Sequence, residues 1–295
     1  MPIDGHTQLV GLVGWPVEHT ISPAMHNAAF AAQELNWRYV PLPVPPQQVE
    51  AAMRGLVALG FRGANVTVPH KQTVLPALDT VAPEAQTLGA VNTIVVESGT
   101  DDKAALSGHN TDAAGFIGAL RDGGFDPRGT SVVVLGAGGA ARAVVFGLRE
   151  ARAAQIMVLN RTLERAQTLV SNLGHGSPTV LRAEPLGKEA LIEAARAADL
   201  LVNATPVGMW PRANDSVWPE EVPLPAHLTV FDLVYNPLET KLLRQARRSG
   251  AQGLDGLGML VRQGAVAFEM WTGEEAPVDV MRTACELGVK HQAPG

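Results

Sequence analysis

Through the first hundred residues, short apolar runs alternate with segments whose apolar residues recur at helical spacing. The runs Leu9–Val13, Arg38–Leu42, Ala64–Val68 and Val91–Val96 predict strands. Behind Ser22-Pro23, Met25, Ala29, Ala32 and Leu35 recur three or four residues apart and predict a helix. A second helix is expected over about 46–59, ending before Gly60. Such alternation implies a mostly parallel sheet covered by helices. The Gly/Ser/Asp-rich stretch 98–109 reads as a turn region. A second α/β series begins at Ser131, where SVVVLG (131–136) is nearly all apolar, as a strand buried on both faces should be. Further strands are expected at Gln155–Leu159, Thr179–Arg182, Leu200–Ala204 and Thr229–Leu233. From Leu257 to about Leu287 the pattern is helical throughout. The expectation is two α/β units, with the terminal helices free to pack back on the first.

Composition narrows the classes. The chain has 295 residues, enough for one large or two medium domains. With 46% hydrophobic and 18% charged residues it can build a core. Its net charge of −6 offers no broad basic footprint for nucleic acid or an anionic membrane. A lone cysteine, Cys285, excludes an intramolecular disulfide and a cysteine-rich zinc site, and it favours a reducing compartment. The histidines are scattered, without an HExxH. MPIDGHTQ has no basic stretch leading into an apolar run, and the most apolar segment, 131–148, is short and interrupted by Arg142 and glycines. A soluble, cytoplasmic, metal-free protein is expected.

Candidate chemistry is densest at GAGGAA, residues Gly136, Ala137, Gly138, Gly139, Ala140 and Ala141. Behind a strand and opening a helix, it fits G-x-G-x-x-A. Gly136 suits the tight turn, Gly138 lets backbone approach a pyrophosphate, and Ala141 permits close helix–strand packing. Dinucleotide binding is weighed against a glycine turn that merely packs. The next strand ends in Asn160-Arg161-Thr162, where an NAD-binding fold commonly carries an acidic residue for the ribose hydroxyl. Neutral Asn160, Arg161 and, one helical turn on, Arg165 suit a 2′-phosphate instead, so NADP(H) is the expected cofactor. The plainer alternative is a solvated face with Glu164 as counter-charge.

Four segments of the first unit place polar groups near strand ends or helix starts: Thr20-Ile21-Ser22-Pro23, Asn65 to Lys71, Val91-Asn92-Thr93 and Asn110-Thr111-Asp112. In open α/β sheets, ligands bind beyond the carboxyl ends of strands. Each also has a structural reading. Ser22 before Pro23 makes a good helix cap, Thr67 between valines is an ordinary strand residue, and Asn92 can brace a turn. Lys71 and Asp112 are ordinary surface charges in most proteins.

Taken in order, HTISPAMHN (19–27), GANVTVPHK (63–71), GAVNT (89–93), NTDAAGF (110–116), GAGGAARA (136–143), NRT (160–162), NATPVGM (203–209), DLVYNPLETKLL (232–243) and GLGMLVRQGAVAFEMWTG (256–273) resemble the shikimate dehydrogenases over nearly the whole chain. The resemblance implies an α/β fold in which an N-terminal substrate domain, residues 1–111, is completed by C-terminal helices, 257–295. A Rossmann-like doubly wound NADP-binding domain occupies 112–256. It implies reversible NADPH-dependent reduction of 3-dehydroshikimate to shikimate. Catalytic roles fall on Lys71 and Asp112, and substrate contacts on Thr20, Ser22, Thr67, Asn92, Tyr235 and Gln263. Met259 would face the nicotinamide, and Asn203, Thr205 and Gly208 would form a cofactor-side loop. A monomer or homodimer is expected.

Two positions depart from that pattern. Thr20 replaces the first serine of a serine–x–serine, keeping the hydroxyl and adding a methyl, which bears on shikimate against quinate preference. Ala113 replaces a glycine and should have only a local backbone effect. A quinate/shikimate dehydrogenase and a non-catalytic NADP-binding regulator are the competing readings. Retention of Lys71 and Asp112 speaks against the second. Reduction of a ketone builds negative charge on its oxygen, and an ammonium can protonate or stabilise it. A nearby carboxylate keeps that ammonium charged, so Lys71 suits an acid or an electrostatic clamp.

Overall fold

The structure, a computed structural model, describes residues 2–97 and 104–292. It divides into two compact units: residues up to Thr111 together with those from Val261 onward, and residues Asp112–Leu260.

The first unit contains β1 (Gln8–Gly14), α1 (Ser22–Ala32), β2 (Trp37–Pro43), α2 (Val49–Ala58), β3 (Gly63–Val66), β4 (Thr80–Val81), α3 (Pro83–Leu88), β5 (Thr93–Glu97) and β6 (Ala105–His109). Its sheet runs β2-β1-β3-β5-β6-β4. Three of its five pairings are parallel, β4 with β6 among them, as expected, and the exception is β5. β1 pairs in parallel with β2 and β3, but β5 runs antiparallel to both β3 and β6. Only seven residues, 98–104, separate β5 from β6, fewer than a parallel crossover needs. Residues 105–109 of the expected turn region are thus a strand, while 98–103 lie outside the described residues. ALSGH has neither β-branched residues nor alternation, and its strand character comes from the ladder to β5. One face of the sheet buries Val13, Met53, Leu56, Phe61, Val66 and Ile94 in a common cluster.

The second unit contains α4 (Asp112–Asp122), β7 (Ser131–Leu135), α5 (Gly139–Glu150), β8 (Gln155–Asn160), α6 (Leu163–Gly174), β9 (Val180–Pro185), α7 (Lys188–Arg196), β10 (Leu200–Asn203), β11 (Thr229–Asp232), α8 (Lys241–Arg248) and β12 (Gln252–Leu254). All five strand pairings are parallel, in the order β12-β11-β10-β7-β8-β9. This is the doubly wound arrangement, with its switch point between β7 and β10. Alternate residues of β7 explain its unbroken apolar run. Val132 and Val134 enter one core with α4, α5 and α6, while Val133 and Leu135 enter the other with Leu191, Leu228 and Leu242. Each such side chain, fully buried, contributes about 1.5–3 kcal/mol.

The terminal helices are α9 (Gly256–Thr272) and α10 (Val278–Gln292). The expected continuous helix is broken at 273–277. Gly273 takes φ +75°, and Pro277 stands just ahead of α10. α10 packs on α1, Phe268 stacks on Phe30 at 5.2 Å, and Trp271 Nε1 donates to the Ile94 carbonyl at 2.9 Å, so these helices complete the first unit.

Candidate active site

β1 and β3 run in parallel with Val13 opposite Val66, so their carboxyl ends share one edge. Thr20 and Ser22 follow β1 there, and Thr67 and Lys71 follow β3. Thr67 lies just beyond β3 and Val68 is 70% exposed, so the expected strand residue instead opens a turn. Asn92 reaches the same edge from the amino end of β5, because β5 runs antiparallel, with Asn65 opposite Thr93. The expectation of carboxyl ends throughout fails there for that reason.

Asn92 is the hub of this edge. Its Oδ1 accepts from the Thr111 backbone N–H at 2.8 Å and its Nδ2 donates to Thr111 Oγ1 at 3.0 Å. Gln263 Oε1, from α9, stands 3.5 Å from both Asn92 Nδ2 and Thr111 Oγ1. Behind Asn92, Asn65 Nδ2 donates to its carbonyl at 3.2 Å and to Thr93 Oγ1 at 3.1 Å. The Tyr39 hydroxyl donates to Asn65 Oδ1 at 2.9 Å. These groups are buried, and leaving one without a partner would cost about 1–3 kcal/mol.

Ser22 is not a cap. Ile21 occupies the cap position of α1, and no side chain bonds the helix end. The Ser22 hydroxyl faces the Tyr39 phenol, and its hydrogen bond opposes the burial that pushes that phenol above its ordinary pKa. The Thr20 hydroxyl accepts from the Ser22 N–H at 3.2 Å. His26 stacks on Tyr39 with ring centroids 4.4 Å apart, and burial drops its imidazole to about 3.

Lys71 is half-buried on a firmly held turn. The His70 N–H bonds the Thr67 carbonyl at 2.9 Å, and the Lys71 carbonyl accepts from the Val91 N–H at 2.8 Å. His70 Nε2 lies 2.6 Å from the Val44 carbonyl, so that nitrogen carries the proton. Asp112 opens α4 and the second unit, where free N–H groups at a helix start favour a carboxylate. Ala113 is buried within α4 against Gly147 of α5, so the methyl it carries is accommodated.

In the second unit, the switch point between β7 and β10 carries the glycine turn. Gly136 has φ +106°, and a Cβ there would stand 3.1 Å from the Ala204 carbonyl oxygen. Open space surrounds the Cβ positions of Gly138 and Gly139, and no side chain caps α5 at Gly138. Ala137 is half-buried and Ala140 exposed, while Ala141 is fully buried in the core. The turn therefore has the shape a pyrophosphate needs: room beside the backbone and a helix start with unused N–H donors.

Asn160 ends β8 and donates from Nδ2 to the Thr162 carbonyl at 2.8 Å, and Thr162 caps α6 by position only. Arg161 and Arg165 are both exposed. Arg161 precedes α6, so the two do not share a helical face as the spacing suggested. Asn203, at the end of β10, accepts at Oδ1 from the Thr205 N–H at 3.1 Å and the Thr205 hydroxyl at 2.6 Å. Gly208 follows at φ +93°. Tyr235 is half-buried beyond β11, and Met259 packs from α9 against the core of this unit.

Three family models match the chain: shikimate dehydrogenase substrate binding domain over residues 12–94, shikimate/quinate 5-dehydrogenase over 122–209, and shikimate 5′-dehydrogenase C-terminal domain over 256–286. A shikimate dehydrogenase (NADP+) of Moorella thermoacetica is 50% identical over 95% of this chain and 92% of its own. The chain belongs to the shikimate dehydrogenase family. Among solved shikimate dehydrogenases, the Thermus thermophilus shikimate 5-dehydrogenase in complex with NADP(H) and shikimate superposes with TM-score 0.84. It is 40% identical, over 96% of this chain and 100% of that one. The quinate dehydrogenase of Corynebacterium glutamicum in complex with NAD also superposes at 0.84, with 33% identity over 95% of this chain and 98% of that one. For a shikimate dehydrogenase, Tyr39 is the supporting residue that sequence reasoning missed, while Asn65 and Thr111 stood in the candidate segments without a role. Tyr39 reads as an ordinary strand aromatic until pairing sets it opposite Val10 of β1, from where its hydroxyl reaches Asn65 on β3.

Proposed function

We propose that this protein is an NADP-dependent shikimate dehydrogenase, interconverting 3-dehydroshikimate and shikimate. Residues 1–111 with 257–295 bind the substrate and 112–256 the dinucleotide. The hydroxyls of Thr20 and Ser22 suit the substrate carboxylate. Thr67, Asn92, Gln263 and Tyr235 suit its ring hydroxyls. The Lys71 ammonium gives a proton to the carbonyl oxygen as it becomes a hydroxyl, and Asp112 takes the second catalytic role, since a carboxylate favours the charged form of an ammonium. The bound cofactor supplies or accepts the hydride at its nicotinamide. Gly136 to Ala141 receive its pyrophosphate, Asn160, Arg161, Thr162 and Arg165 its 2′-phosphate, and Asn203, Thr205, Gly208 and Met259 flank its nicotinamide half. The same reading has the protein in the cytoplasm, as a monomer or homodimer.

The observation that carries this reading is the Asn92–Thr111–Gln263 cluster. Three buried or half-buried polar side chains from three separated segments share one sheet edge with the Lys71 turn. A site that pairs several hydroxyls discriminates strongly against analogues that lack one. The test follows nicotinamide absorbance with shikimate and quinate, each offered with NADP and NAD. Shikimate with NADP should give the highest kcat/KM. Preference for quinate with NAD would make the protein a quinate dehydrogenase. Cofactor binding without turnover of either would make it a non-catalytic binder.

A further inference from the structure

Asp232, at the end of β11, has no solvent exposure and no salt bridge among the described residues, yet it gathers three donors. Asn203 Nδ2 donates to its Oδ1 at 2.8 Å, the Val234 N–H to the same oxygen at 3.2 Å, and the Thr240 hydroxyl to its Oδ2 at 2.6 Å. Each donor belongs to a different segment. Asn203 ends β10 and holds Thr205 by two hydrogen bonds. Val234 immediately precedes Tyr235. Thr240 caps α8, its hydroxyl oxygen accepting from the Leu243 N–H at 3.2 Å.

We propose that Asp232 is a positioning residue for the dinucleotide. Its carboxylate ties the Asn203–Gly208 loop to the Tyr235 segment and to the start of α8, so that the loop is held in shape before cofactor arrives. The inference rests on the cofactor reading above. Only an ionised carboxylate serves all three donors at once. A proton on Oδ1 would face the Asn203 amide and displace it, and one on Oδ2 would reverse the Thr240 bond, whose hydroxyl would then accept instead of donate. Burial pushes this carboxyl up to about 6, so the clamp loosens just below neutrality. The charged groups on neighbouring segments turn elsewhere: Glu239 to Arg247, Lys241 to Glu220, and Asp255 to the Gly258 N–H. Tyr235 is the other titratable group on this segment.

The test is Asp232→Asn, which keeps the shape but turns a donor toward one of the three. NADPH binding is read from cofactor fluorescence, KM is measured for both substrates, and melting of the cofactor-free protein is recorded from about pH 5 to about pH 7.5. NADPH affinity at pH 7.5 should fall about tenfold, as expected for a lost hydrogen bond to a charged group, while KM for shikimate stays within about twofold. Wild type should lose more affinity than the variant as pH falls through 6. The cofactor's own phosphate titrates alike in both, so the difference between them is the readout. Thr240→Val should weaken binding and Thr240→Ser should preserve it, and this pair decides the matter if Asp232→Asn does not fold. Unchanged NADPH affinity in Asp232→Asn or in Thr240→Val, or equal losses for both substrates, overturns the inference. Wild type that fails to bind NADPH overturns the cofactor reading instead.

Discussion

At the residue scale, the proposed chemistry is concentrated in a few groups whose removal has distinct signatures. Lys71→Ala should lower kcat at least about 10²-fold, the lower end of an acid–base contribution, with shikimate KM changing less. A near-normal kcat would take Lys71 out of the chemistry. Arg161→Ala should lower the ratio of kcat/KM with NADP to that with NAD, since a guanidinium beside neutral Asn160 is the feature expected to select a 2′-phosphate. An unchanged ratio would assign that selection elsewhere. Tyr39→Phe removes the donor to Asn65 Oδ1 and the partner of Ser22 while keeping the ring stacked on His26. It should cost about 1–3 kcal/mol in thermal unfolding and raise shikimate KM more than it lowers kcat. Loss of stability with KM unchanged would make Tyr39 purely structural. Ser22 shows where residue-level reading stops. Serine before proline satisfies the rule for a helix cap, yet the helix starts one residue earlier than that rule assumes and leaves the hydroxyl for Tyr39.

At the element scale, the turn after β7 is the part most legible in the sequence. Strand, glycine turn and helix are contiguous, so local spacing already contains the geometry. Gly136→Ala must place a Cβ at φ +106° and 3.1 Å from the Ala204 carbonyl. The strain should cost about 1–3 kcal/mol, visible as a lowered melting temperature and weakened NADPH binding. A variant with wild-type values in both would show that the turn tolerates a side chain. By contrast, β6 and the mixed sheet were not legible. Four small or polar residues around a single leucine carry no strand signal of their own, and the direction of β5 depends on which edge of β3 it meets. The break at 273–277 was written in Gly273 and Pro277, but the apolar periodicity running across it hid the stop.

At the scale of the whole molecule, the two units should answer acid in opposite senses. His26, in the first, is held neutral by burial with its imidazole at about 3, against an ordinary 6.5. Its contribution is fully present above 6.5 and is lost as pH falls, by up to about 1.4 kcal/mol per unit. Asp232, in the second, has its carboxyl raised from 3.8 to about 6. That shift favours the folded state at low pH and the advantage disappears as pH rises through 6. Hydrogen exchange compared at about pH 7 and about pH 5 should therefore show the first unit losing protection before the second. His26→Leu should flatten the acid response of the first unit. Earlier loss in the second unit, or an unchanged response in the variant, would contradict this assignment.

The sequence by itself determined the α/β class, the dinucleotide turn and the polar positions of the motifs, because each is carried by residues a few positions apart whose chemistry is local. Only the tertiary structure decided that Asn92 reaches the candidate-site edge from the amino end of a strand, that Gln263 joins it from 171 residues away, and that Asp232 gathers three segments. Those relations depend on strand direction and chain return, which arise when the sheets close over buried apolar residues and have no counterpart in spacing along the chain.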